Sequence, residues 1–175
     1  NAFPAIIAAG MTFVILTGGI DLSVGSVVGL SGVLCADAIV HGWGIPAAVL
    51  LGVATGLFVG LVNGLVITRI GVPPFIVTLA TMLVVRGVAF KYTDARTIAG
   101  LPQEFAAISQ SGVMAISMAA VYVAAWVLLM RTPFGRHVYA IGGNREAAWL
   151  AGVRVVRVLI ATYVICGVGA GLAGV

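Results

Sequence analysis

Charged residues are scarce in this 175-residue chain, and their scarcity excludes most soluble folds. Asp, Glu, Lys and Arg make up 8% of the sequence, whereas hydrophobic residues make up 62% and the mean hydropathy is +1.21. A soluble domain has about 25% charged residues, and at this size it buries only about 70% of its unfolded surface. It could not hide so much apolar surface. The composition therefore excludes a soluble enzyme and a nucleic-acid-binding protein and favours an integral membrane protein.

The residues that usually carry chemistry are also few. Cys35 and Cys166 lie in apolar runs without a Cys-x-x-Cys pair, which predicts small buried side chains rather than a metal or redox site. The single lysine, Lys91, does not follow the glycine-rich segment that a phosphate-binding loop requires. His41 and His137 lie in different predicted loops, and no catalytic set of serine, histidine and acid is apparent. We therefore expect no catalysis and no bound metal or cofactor on this chain.

Long uncharged segments predict membrane-spanning helices. Four runs of at least 18 residues contain no charge, namely 1–20, 38–68, 105–130 and 158–175. About 20 apolar residues in a helix cross a bilayer core about 30 Å thick, and these runs lack the alternation of barrel strands. The sequence predicts an all-α, polytopic transmembrane bundle with about six or seven spans. The predicted segments are 3–17, 22–40, 45–68, 74–90, 112–130 and one from 158 onwards, with a polar stretch at 91–111.

The distribution of basic residues predicts the orientation of the bundle. Residues 131–157 contain five of the nine basic residues, and basic residues concentrate in cytoplasmic loops. We therefore predict that 131–157 is a cytoplasmic loop within one transmembrane domain covering 1–175. Alternating spans then place Arg69 on the same side and Arg86, Lys91 and Arg96 towards the opposite side. Because both ends of the sequence lie in apolar runs, we expect a fragment that is incomplete at both ends.

Regularly spaced glycines predict close helix packing. One predicted helix carries four glycines at four-residue steps, Gly52, Gly56, Gly60 and Gly64. Two further pairs have the same spacing, Gly25 with Gly29 and Gly167 with Gly171. Small residues at this spacing form a smooth face on which another helix can approach closely. We therefore expect all three faces to pack against neighbouring helices.

An acidic residue between the first two apolar segments requires a reason, because a charge inside a membrane is costly. Gly18 and Gly19 are expected to end the first helix, and Asp21 to cap the next one by accepting its free N–H groups. A second interpretation is a broken helix beside a translocation pathway, as transporters often contain.

A short capped helix is predicted in the loop 131–157. Asn144 is a favourable N-cap, Gly152 a favourable stop, and Glu146 lies in the first turn, where the helix dipole favours an acid. A helix of about two turns is marginal in water and needs a surface to dock on. With Trp149 for apolar contact and Arg145 for charge pairing, that surface is either the lipid interface or a cytoplasmic partner.

Three segments together resemble a known family. They are Thr-Gly-Gly-Ile-Asp-Leu-Ser-Val-Gly at 17–25, Pro-Pro-Phe-Ile-Val-Thr-Leu-Ala-Thr-Met at 73–82, and Phe-Gly-Arg-His-Val-Tyr-Ala-Ile-Gly-Gly-Asn-Arg-Glu-Ala-Ala at 134–148. The chain thereby resembles the permease subunits of bacterial ribose/xylose-type sugar ABC transporters, which are binding-protein-dependent importers. The resemblance covers essentially the whole chain.

The resemblance implies a place in a larger assembly. Permeases of this family have about ten membrane helices in the bacterial inner membrane and pair as dimers. A periplasmic binding protein delivers the sugar, and a cytoplasmic ATPase subunit binds ATP and Mg²⁺. Two alternatives remain open: a related ABC permease for a nucleoside, a branched-chain amino acid or a signalling sugar, and an ion-coupled secondary transporter or channel.

The resemblance also assigns candidate residues. The family's short cytoplasmic helix docks on the ATPase, which carries the coupling role over to Asn144, Arg145, Glu146, Ala147, Ala148 and Gly152. Polar residues near membrane segments are possible translocation-pathway residues, although each could simply bond a neighbouring helix: Asp21, Ser23, Asn63 and Thr78.

Overall fold

The computed structural model describes residues 2–105 and 112–175, which form helices joined by short turns. Asn1 and residues 106–111, the end of the predicted polar stretch, lie outside the described residues. The helices are α1 (Ala2–Leu16), α2 (Val24–Val40), α3 (Ile45–Leu65), α4 (Pro74–Thr93), α5 (Val113–Arg131), α6 (Pro133–Gly143), α7 (Arg145–Leu150) and α8 (Val155–Gly174). A π-helical turn, Val66–Ile70, directly continues α3. No strand occurs in the two described ranges, and the predicted all-α class is confirmed.

Four helices are long and apolar enough to cross a membrane: α3 with its π-helical turn, α4, α5 and α8. The apolar helices α1 and α2 contain only 15 and 17 residues. The helical membrane bundle is thus confirmed, although the described residues supply four helices of spanning length rather than the six or seven predicted spans. The difference arises because α1 and α2 are each shorter than the helix of about 20 residues that crosses a bilayer core.

The end of α1 is the predicted glycine stop. Gly18 has a φ of 76°, a left-handed conformation that favours glycine. Its N–H donates to the carbonyl of Ile15 at 2.9 Å, and the N–H of Gly19 donates to that of Val14 at 3.0 Å. These two bonds satisfy carbonyls that the helix end leaves free. The predicted break after α1 is therefore confirmed.

The start of α2 differs in detail from the prediction. The N-cap residue is Ser23, and α2 begins at Val24. Asp21 lies two residues earlier and accepts the backbone N–H of Ser23 at 2.9 Å. The prediction that Asp21 itself caps the first turn is wrong, because its carboxylate is occupied by Ser23 before the helix begins.

Helices α3 and α8 pack backbone to backbone through glycine. A Cβ atom added at Gly64 would lie 2.9 Å from the Cα atom of Ile160, and one added at Gly171 would lie 2.9 Å from the carbonyl oxygen of Gly52. Gly56 and Gly167 face one another in the same interface. The predicted packing faces on α3 and α8 are confirmed.

The same prediction is wrong for α2. Nothing lies within 4 Å of a Cβ atom added at Gly25 or Gly29, and both glycines are exposed. The spacing creates a smooth face, but it does not specify that another helix will cover it. On α2 this face borders an open cleft.

A helix that the sequence analysis missed, α6, lies in the predicted loop 131–157. Thr132 caps it by accepting the N–H of Gly135 at 3.3 Å, and Pro133 occupies its first position, where proline is favourable. Its buried residues Val138 and Ile141 pack with the first turns of α8. The threonine-proline pair was the available sequence signal for this helix.

The glycine contact between α3 and α8 should be sensitive to one added methyl group. A Cβ atom at Gly60 would collide with the carbonyl oxygen of Tyr163, whereas one at Gly87 on α4 meets nothing within 4 Å. We expect Gly60→Ala to lower the free energy of unfolding by about 1–3 kcal/mol, the usual cost of overpacking. Gly87→Ala is the matched control and should be neutral or slightly stabilising. Unfolding in mixed detergent micelles measures both, and equal effects would contradict the packing argument.

Candidate functional site

A buried network of polar side chains fixes the segment between α1 and α2. The Oδ1 atom of Asp21 accepts the hydroxyl of Ser23 at 2.6 Å, in addition to its backbone N–H. The Nδ2 atom of Asn63 on α3 donates to the Ser23 hydroxyl at 3.0 Å. The hydroxyl of Thr81 on α4 donates to Asn63 Oδ1 at 2.7 Å. The polar network Asp21–Ser23–Asn63–Thr81 therefore connects the broken segment to two helices.

Two further hydroxyls approach the same segment from other helices. The hydroxyls of Thr78 on α4 and Tyr163 on α8 each lie 3.5 Å from the carbonyl oxygen of Ile20. Thr78 also donates to the carbonyl of Pro74 within α4 at 2.9 Å. Backbone that leaves the helical conformation inside a membrane needs such partners, because lipid offers none.

The four sequence-predicted pathway residues are thus brought together at one place. Asp21 and Ser23 are 2% and 1% exposed, and Asn63 and Thr78 are fully buried. They bond one another or the adjacent backbone, and none of them lines the cleft described next. Sequence reasoning missed Thr81 and Tyr163, although Thr81 lies within the motif 73–82.

An open cleft of about 460 Å³ lies between α2 and α4, immediately after the broken segment. We call it the α2–α4 cleft, and its lining residues are Leu22, Gly25, Ser26, Gly29, Val33, Met82, Arg86, Ala89, Phe90 and Thr93. The two glycines leave space on the α2 side. On the α4 side the Arg86 guanidinium lies 5.7 Å from the centre of the Phe90 ring.

The chemistry of this cleft suits a small polar solute. Arg86 offers several N–H donors, Phe90 an aromatic face, and Ser26 a hydroxyl. The Tyr92 hydroxyl donates to the carboxylate of Asp37 at 2.6 Å and so links α4 to α2. Sequence analysis treated Arg86 only as a topology marker; its position inside an apolar segment was the signal for a second role.

The predicted helix in the loop 131–157 is present as α7, with both predicted caps. Asn144 Oδ1 accepts the N–H of Ala147 at 2.9 Å. Gly152 follows the helix with a φ of 85°, and the N–H of Val153 donates to the carbonyl of Ala148 at 3.0 Å. These bonds define a complete helical unit of six residues between Arg145 and Leu150.

One face of α7 anchors the helix and the other is free. Ala148 is buried and packs with Val138 of α6 and Val155 of α8. By contrast, Trp149 is 66% exposed and Leu150 is 73% exposed. The other predicted coupling residues are also exposed, namely Asn144, Arg145, Glu146, Ala147 and Gly152. Among the six predicted coupling residues, the buried Ala148 can therefore contribute only by holding α7 against α6 and α8.

Comparison with known proteins decides the family. Residues 2–175 match a family model described as the permease component of branched-chain amino acid transport systems. The chain belongs to this permease family. Together with the long apolar helices, this makes it a multi-pass protein of the bacterial inner membrane. No solved structure matches the permease.

Curated relatives of the permease carry the names of sugar transporters. It is 47% identical to the ribose import permease protein RbsC of Bacillus subtilis, over 99% of this chain and 56% of that protein. It is 35% identical to the D-allose transport system permease protein AlsC of Escherichia coli, over 100% of this chain and 56% of that protein. It is 38% identical to the fructose import permease protein FrcC of Rhizobium meliloti, over 99% of this chain and 52% of that protein. The chain spans about half the length of these curated relatives.

Each motif of the permease coincides with one structural feature described above. Residues 17–25 form the broken segment and the start of α2, residues 73–82 begin α4, and residues 134–148 cover α6 and most of α7. The predicted resemblance to sugar-importer permeases is therefore confirmed for the family, and its motifs lie at the polar network, the α2–α4 cleft and α7.

A pair of isosteric substitutions tests the polar network. Thr81→Val removes the bond that links α4 to Asn63, whereas Thr55→Val removes only a bond to Leu51 within α3. Interhelical hydrogen bonds in membranes contribute about 0.6 kcal/mol on average and up to about 1.7 kcal/mol. We expect a loss in this range for Thr81→Val and a smaller loss for Thr55→Val, measured as free energies of unfolding in mixed micelles. A larger effect of Thr55→Val would contradict the assignment.

Proposed function

We propose that this permease contributes to the membrane subunit of an ATP-driven importer for a monosaccharide. The observation that carries the proposal is the 47% identity to a ribose import permease across nearly the whole chain. The relatives named for allose and fructose have the same extent of similarity along the chain. Because ribose, allose and fructose are all monosaccharides, the relatives support that class of solute over amino acids and nucleosides.

The proposed importer needs partners that this chain does not supply. We propose a cytoplasmic ATPase subunit that binds ATP and Mg²⁺, a periplasmic sugar-binding protein and a second permease copy. In this arrangement the segment 131–157 is cytoplasmic, and α7 is the element that docks on the ATPase. Its free face supports this role, because Arg145 and Glu146 are exposed and available for charge pairing.

The α2–α4 cleft is the proposed contribution of this chain to the sugar pathway. It follows directly from the broken segment in sequence, since Leu22 and Gly25 line it while Asp21 and Ser23 are held in the polar network. We propose that Asp21, Ser23, Asn63 and Thr78 serve the pathway by fixing this wall. Arg86 and Phe90 would then contact the sugar directly.

A transport assay with the full-length permease, its ATPase and its binding protein in proteoliposomes tests the function. We expect ATP-dependent uptake of a pentose or hexose and no uptake of leucine. Gly29→Leu should lower the sugar uptake by about tenfold, or about 1.4 kcal/mol, because leucine fills the cleft. Gly87→Leu on α4 lies outside the cleft and is the matched control. Uptake that persists without the ATPase, or uptake of leucine instead of sugar, would overturn the proposal.

Reversing the charge of Glu146 tests the docking of α7. Glu146→Lys places a cation in the first turn of the helix and removes the exposed carboxylate. We expect the ATPase to co-purify about tenfold less and sugar uptake to fall with it. Glu104→Lys, a charge reversal outside 131–157, should leave co-purification unchanged. Equal co-purification of the ATPase by both variants would contradict the coupling role.

A further inference from the structure

Three arginines from two parts of the chain meet in one cleft. Arg69 lies in the π-helical turn after α3, Arg154 is the N-cap of α8, and Arg157 lies in its first turn. Together with Trp149 of α7 they line an open cavity of about 560 Å³, which we call the arginine cleft. Alternating spans predict that Arg69 and the segment 131–157 lie on the same side of the membrane, and the structure brings them together.

The three arginines of the arginine cleft form no salt bridge among the described residues, and the nearest acidic side chain on α7, Glu146, lines a neighbouring cavity. All three arginines are exposed, and within 2–105 and 112–175 no carboxylate lies within 4.0 Å of any of them. Like charges that share a cleft repel one another. An anion in the cleft would relieve this repulsion by bonding to the guanidinium groups.

The position of the cleft specifies the kind of anion. It lies where two membrane-spanning helices end, since Arg69 is the penultimate residue of one span and Arg154 directly precedes the other. Among the apolar residues that line the cleft, Trp149 is 66% and Val156 36% exposed, and Ile70, which follows Arg69 in sequence, is 71% exposed. Exposed apolar side chains, a tryptophan and arginines at the end of a span are typical of the lipid headgroup level.

We propose that the arginine cleft binds the headgroup phosphate of an anionic phospholipid in the leaflet that faces the ATPase. The side of the membrane rests on the orientation given under the proposed function, whereas the binding itself does not require transport. A lipid is favoured over the ATPase as the occupant because the cleft is bordered by apolar side chains at the membrane boundary. Of the predicted coupling residues only Gly152 lines the arginine cleft, whereas Arg145 and Glu146 lie outside it and remain available to a protein.

Fluorescence quenching by brominated lipids tests the proposal. Trp149 is kept as the only tryptophan of the full-length permease, which is reconstituted with brominated phosphatidylglycerol or brominated phosphatidylcholine at equal mole fraction. We expect phosphatidylglycerol to quench Trp149 more strongly. Removing each of Arg69, Arg154 and Arg157 by an Arg→Gln substitution should lower the relative affinity by about fivefold. Arg136→Gln, an exposed arginine outside the cleft, is the matched control.

The outcomes separate lipid binding from the other occupants. Equal quenching by the two lipids, or a preference that survives the triple Arg→Gln variant, would overturn the proposal. A preference abolished by millimolar inorganic phosphate would assign the cleft to the free ion instead. Loss of ATPase co-purification in the triple variant without any lipid preference in the parent would assign it to the ATPase. A triple Arg→Lys variant, which keeps the charge, should retain most of the preference if the loss is electrostatic and not a folding defect.

Discussion

The direct backbone contact between α3 and α8 sets the distances on which the other features depend. Gly60 faces the carbonyl of Tyr163, and Gly64 approaches Ile160. Between these two glycines lies Asn63, which reaches Ser23, and from the other helix the hydroxyl of Tyr163 reaches Ile20. A side chain at either glycine would separate the helices and pull both polar groups away from the broken segment.

The polar network Asp21–Ser23–Asn63–Thr81 uses this helix contact to fix the position of the broken segment beside the α2–α4 cleft. Apolar packing alone gives little preference for one arrangement of helices in lipid, because lipid tails are as apolar as leucine. Buried polar groups do impose a preference, since a shifted helix would leave Asp21 or Asn63 without partners. The segment 17–23 is thereby held at one depth, and α2 begins where its exposed glycines border the cleft.

The sequence predicted correctly those features, such as helix caps and stops, that depend on residues only a few positions apart in the chain. The glycine stop at Gly18 and the caps of α7 at Asn144 and Gly152 depend only on a few adjacent residues. Helix α6 has an equally local signal in its threonine-proline start, which the polar composition of 131–157 concealed.

What the sequence could not predict depends on which elements become neighbours. Four-residue glycine spacing has the same appearance on α3, where another backbone covers it, and on α2, where nothing does. The polar residues Asp21 and Asn63 were identified as candidates, but their partner Thr81 becomes evident only once α4 lies beside α3. Likewise, the sequence indicates only a topology role for Arg86. Its position over the Phe90 ring, in the α2–α4 cleft, becomes evident only from the structure.

Helix α8 connects α7, the proposed docking helix, to the broken segment between α1 and α2. At its start, Val155 and Val158 pack with Ala148, the buried anchor of α7, and eight residues after Val155 the side chain of Tyr163 contacts the broken segment. A packed helix moves as a rigid body rather than absorbing displacement along its length. If α7 docks on the ATPase as proposed, a push on α7 would therefore reach the broken segment through α8, which the glycine contact holds against α3.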